Sequence, residues 1–86
     1  MGTENVCVFT FHSTHQALEF EKVLKNNDYQ VKLIPVPRQV SSSCGLAGKV
    51  NEENLTDIRN ICDENFIEYD HIYRLYSDNK KPDELY

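Results

Sequence analysis

Six short segments carry two kinds of apolar pattern in this chain, and their order limits the fold more tightly than any composition figure. Residues 5–11, Asn-Val-Cys-Val-Phe-Thr-Phe, are β-branched and aromatic and read as a buried first strand. Ser13-Thr14-His15-Gln16 then forms a capping box, with Ser13 as N-cap and Gln16 three residues on. Ala17, Leu18, Phe20, Val23 and Leu24 follow at helical spacing, and Asn26-Asn27-Asp28 ends that helix. Gln30 to Ile34 alternates as a second strand until Pro35 and Pro37, which lack an N–H to donate, stop its ladder. After a polar loop, Arg38 to Ser43, residues 44–50 read as a third strand; its two glycines mark a bulge or a close approach. Asn51 caps a second helix with the stripe Leu55, Ile58, Ile61 and Cys62, and residues 66–76 hold a fourth strand with Ile67, Ile72, Tyr73 and Leu75.

The order β-α-β-β-α-β predicts an α+β, ferredoxin-like fold: a four-stranded antiparallel sheet, order 4-1-3-2, with two helices on one face. At 86 residues the chain makes one domain, expected to bury about 60–65% of its unfolded surface. Residues 1–76 form that domain, and 77–86, with Pro82, a polar tail expected to fray. So small a core leaves little material for a deep, water-excluded pocket, which weighs against a self-contained enzyme.

The formal charge is −5 and the nine basic residues are scattered, whereas nucleic-acid binding needs Lys and Arg gathered on one face. No apolar stretch reaches membrane-spanning length and no basic amphipathic helix occurs, so no membrane contact is expected. The opening Met1-Gly2-Thr3-Glu4-Asn5 has neither a basic nor an apolar signal region, and Val6 breaks the myristoylation pattern. Three cysteines, Cys7, Cys44 and Cys62, form an odd set without a CxxC pair. They fit free thiols in a reducing cytoplasm better than a secreted disulfide framework.

The expected topology gives one of these thiols a special place. Strands 1 and 3 are central and antiparallel, so the start of strand 3 lies beside the end of strand 1 and the start of the first helix. Cys7 and Cys62 fall on core-facing positions, as small buried hydrophobes. Cys44 instead faces His12, Ser13, Thr14 and His15, with Arg38 near. A helix N-terminus presents unpaired N–H groups and about half a positive charge, which favours a thiolate. Two readings of Cys44 stand side by side: a nucleophile activated at this edge, or a thiol packed beneath a loop without chemistry. Ser41, Ser42 and Ser43 are loop filler on one reading and anion donors on the other. His12 and His15, spaced H-x-x-H, are surface residues or, with Cys44, ligands of a metal. His71 reads as structural. No nucleophile elbow or glycine-rich phosphate loop is present.

Pro35-Val36-Pro37-Arg38, then Ser41-Ser42-Ser43-Cys44-Gly45, together with Phe11-His12-Ser13-Thr14-His15, Ala17-Leu18 and Glu21-Lys22, make a distinctive set. On these the chain resembles the selenium/sulfur carrier-like small domains of bacteria and archaea, over roughly residues 6 to 76. The resemblance implies a carrier that holds the chalcogen on Cys44 as a persulfide or selenopersulfide. It implies a desulfurase-like donor protein and an acceptor protein; no cofactor or metal is expected. In that reading Arg38, Ser13, Thr14, Ser43 and Gly45 support the anion, and His12 or His15 handles the proton. The alternatives are a metal-binding or redox-sensing module using His12, His15 and Cys44, and a small-ligand or protein-binding domain without covalent chemistry.

Overall fold

A computed structural model describes residues 6–36, 45–75 and 83–85. The first strand, β1, spans Val6–Thr10, and helix α1 spans Thr14–Asn26. Strand β2 (Lys32–Pro35) and strand β3 (Leu46–Asn51) follow, then a 3₁₀ turn, Glu52–Asn54, leading into helix α2 (Leu55–Glu64). Strand β4 (Ile72–Leu75) and a two-residue strand β5 (Asp83–Glu84) complete the sheet. All pairings are antiparallel and the order is β2-β3-β1-β4-β5. This is the expected 4-1-3-2 sheet with one strand added.

Alternation along β1 sorts its side chains by face. Cys7, Phe9 and Phe11 join Ala17, Phe20 and Leu24 of α1 and Ile58, Ile61 and Cys62 of α2 in one core cluster. The Phe20 ring lies between Phe9 and Phe11, with centroids 4.8 and 5.1 Å away. Directly opposite Phe9 on β3 stands Gly48. A Cβ there would lie 2.5 and 2.8 Å from two Phe20 ring carbons, so the expected close approach is found at this glycine. On the other face Thr10 is fully buried, and its hydroxyl accepts from the His71 N–H at 3.1 Å. The Thr10 N–H donates to the His71 carbonyl at 2.9 Å, tying the start of β4 to the end of β1.

Several local expectations are corrected. Leu18 is 52% exposed and stands outside the buried stripe, because it is rotated about 100° from Ala17 around the helix. Asn51 ends β3 and precedes the 3₁₀ turn, with no side-chain cap bond, so α2 begins only at Leu55. Among the described residues of the 66–76 segment, only Ile72–Leu75 is strand. The tail expected to fray returns at 83–84 to pair with Tyr73 and Arg74, and the Leu85 N–H donates to the Ile72 carbonyl at 2.7 Å. The otherwise open edge of β4 thereby gains backbone partners.

Because Phe20 is buried and hemmed in by two rings, it cannot swing aside for a new methyl. Gly48→Ala is expected to destabilise the fold by about 1–3 kcal/mol, read as a lower urea midpoint at unchanged slope. A midpoint equal to wild type would show that Phe20 does not depend on this gap.

Candidate functional site

The ends of β1 and β2 and the starts of β3 and α1 meet at one end of the sheet. Thr10 pairs with Ala47 at the end of the β1–β3 ladder, so the start of β3, which Gly45 precedes, lies beside the end of β1. The Val36 N–H, just past β2, donates to the Gly45 carbonyl at 3.1 Å. Gly45 is exposed and has φ +79 with nothing within 4 Å of a notional Cβ. Glycine is favoured there by backbone conformation, and not by crowding. Cys44, which precedes it in the chain, lies outside the described residues, as do Arg38 and Ser43.

The capping box forms with a shift of one partner. The Gln16 N–H donates to Ser13 Oγ at 3.3 Å, while Gln16 Oε1 accepts from the N–H of His12, at 3.1 Å, where the box would use that of Ser13. The Ser13 hydroxyl keeps its own proton to donate. The Thr14 and His15 amides have no partner among the described residues, so the first turn of α1 retains two N–H donors.

His12 and His15 turn to different surroundings. His12 Nε2 lies 3.4 Å from Asp70 Oδ1, and His71 Nε2 lies 3.6 Å from the same oxygen. His15 instead borders a cleft of about 380 Å³ with Glu19, Asn65, Phe66 and Glu68. Asp70 was not anticipated; an Asp-His pair ahead of a strand signals nothing until β4 is aligned beside β1. Among the described residues no three His, Cys, Asp or Glu side chains are grouped to hold a metal ion. His71, expected to be structural, does bind Thr10 through its backbone, and its ring adds a second neighbour to the Asp70 carboxylate.

Residues 6–74 match the family described as "Putative Se/S carrier protein-like". The chain belongs to this family. No curated protein and no solved structure matches it. The family span runs from β1 into β4, and so includes the whole end of the sheet just described. Among the described residues no helix is long and apolar enough to cross a membrane.

The two described thiols of this carrier-family chain are both fully buried. Burial pushes the Cys7 thiol from an ordinary 9.0 up to about 11, with the Glu52 carboxylate adding to the rise and Arg74 opposing it. Burial, with Asp63 beside it, pushes Cys62 up to about 12. Neither ionises appreciably near neutral pH, and the thiolate is the reactive form.

Both folded-state values lie above the unfolded ones, so this contribution to stability is complete below about pH 9. It is lost as pH rises through 11 to 12, because only the unfolded chain releases those protons early. The urea midpoint is therefore expected to fall above pH 9, and to fall less steeply in Cys7→Ala/Cys62→Ala. Equal alkaline slopes in the two proteins would contradict the burial of these thiols. In native protein, peptide mapping after a limiting dose of alkylating reagent is expected to find Cys44 labelled first, and Cys7 and Cys62 labelled only on unfolding.

Proposed function

We propose that this protein is a cytoplasmic carrier that holds sulfur or selenium on Cys44, as a persulfide or selenopersulfide, between a desulfurase-like donor and an acceptor protein. The observation that carries the reading is the register of β1 and β3. Its last pair, Thr10 and Ala47, lays the start of β3, which Cys44 and Gly45 precede in the chain, beside the end of β1, only residues 11–13 before α1 begins. Family membership and the raised pKa of both other thiols support the same assignment.

The transfer balances without an oxidant. The Cys44 thiol gives its proton to an imidazole, and the thiolate attacks the outer sulfur of the donor persulfide. A new S–S bond forms on Cys44, the donor's S–S bond breaks, and the donor cysteine leaves as a thiolate that takes the proton back. His12 suits the proton's path better than His15. With Nε2 turned toward Asp70, its Nδ1 is left to accept. The Thr14 and His15 amides, the Ser13 hydroxyl, Ser43 and the Arg38 guanidinium favour the anion, and Gly45 leaves room for a partner's backbone.

Incubation with a cysteine desulfurase and cysteine is expected to add the mass of one sulfur atom to the wild type and none to Cys44→Ser. A folded Cys44→Ser protein that still gained sulfur would overturn the reading. Arg38→Ala is expected to raise the Cys44 pKa by less than about one pH unit, since a nearby charge at surface-like dielectric is worth on the order of 1 kcal/mol. The pH dependence of alkylation measures it, and an unchanged curve removes Arg38 from the mechanism.

A further inference from the structure

Both helices close in the same hydrogen-bond pattern, yet they fill its critical position differently. At the end of α1 the Tyr29 N–H donates to the Leu24 carbonyl at 3.0 Å, and the Asp28 N–H to Lys25 at 3.1 Å. At the end of α2 the Ile67 N–H donates to Cys62 at 2.9 Å, and the Phe66 N–H to Asp63 at 3.4 Å. The pattern forces one residue into the left-handed region: Asp28 at φ 65 and Phe66 at φ 56. Glycine usually takes that place, and short polar residues such as Asp tolerate it. A bulky aromatic there is a true outlier, because its Cβ crowds the following carbonyl. Burial does not offset the strain, since Phe66 is 91% exposed. The fold would be served better by glycine.

Position supplies a reason for the aromatic. Phe66 lies in the connection from α2 to β4, four residues before Asp70, and it borders the cleft that holds His15. Leu18, three residues after His15 on α1, is the other large apolar side chain left exposed among the described residues. The surroundings are acidic: Glu19, Asp63, Glu64 and Glu68 are all exposed, and no Lys or Arg occurs between residues 60 and 73. Strain kept at an exposed aromatic beside a reactive end is what an interface anchor requires.

We propose that Phe66 is the anchor by which this protein docks on the protein persulfide donor, entering an apolar pocket rimmed by basic side chains. The proposal rests on the carrier reading above and adds the surface that the donor recognises. Docking there brings the donor's persulfide to the end of the sheet that holds His12 and Gly45.

The test loads wild type, Phe66→Gly and Phe66→Asn from two sulfur sources: a cysteine desulfurase with cysteine, and glutathione persulfide, which has no protein surface. Phe66→Gly is expected to raise the urea midpoint. Both variants are expected to need about tenfold more desulfurase for half-maximal loading, at an unchanged maximal rate and with unchanged loading from glutathione persulfide. Asp28→Gly, which relieves the same backbone strain at the end of α1, is expected to leave the half-saturating desulfurase concentration unchanged. Added salt is expected to weaken loading of wild type by the desulfurase. Equal half-saturation in wild type and Phe66→Gly would overturn the proposal and leave the carrier reading intact. So would wild type loading from glutathione persulfide alone, or a self-association of wild type that Phe66→Gly abolishes. Wild type that takes sulfur from neither source would sink both.

Discussion

The contact of Phe20 with Gly48 sets the geometry on which the rest of the molecule depends. Strand β1 pairs with β3 so that Gly48 lies opposite Phe9, and the missing side chain opens a place for one ring. Phe20 fills it and is held there by Phe9 and Phe11, which makes the position of α1 over the sheet a matter of packing rather than of loop length. Fixing α1 along its axis also fixes its first turn. Only residues 11–13 separate β1 from α1, so the amides of that turn stay at the end of β1, beside the start of β3.

The same core sets the chemistry of the two described thiols. Cys7 lies on the helix-facing side of β1 and Cys62 on the sheet-facing side of α2, and both lose the water that would stabilise a thiolate. A small domain has few places to hide a sulfur atom, and these two positions use the packing stripes of two different elements. Burial thus makes both of these thiols poor nucleophiles before any catalytic group is considered.

The connection from α2 to β4 contributes the part of the site that is remote in sequence. Thr10 ties it down through three backbone and side-chain bonds to His71, and through its carbonyl to the Asp70 N–H at 2.6 Å. That clamp holds the Asp70 carboxylate beside His12, about sixty positions away in the chain. With Phe66 a few residues earlier, one short segment supplies both a carboxylate for the histidine and an exposed ring for a partner.

What the chain determines locally was readable from its residues. The element order, the Ser13 cap and the buried places of Cys7 and Cys62 follow from periodicities of two and of 3.6, which need no knowledge of neighbouring segments. The family resemblance rests on the same kind of short-range pattern. The juxtapositions belong to the tertiary structure alone. Asp70 reaches His12 only because β4 pairs with β1 in one register. The return of residues 83–84 to the edge of β4 depends on backbone groups left open there, and its polar sequence carries no strand signal. Phe66 reads as an ordinary aromatic until the closing turn of α2 shows it left-handed and bare to solvent. A sequence records which side chains share a face of one element; register and packing decide which elements, and so which chemistries, come to the same end.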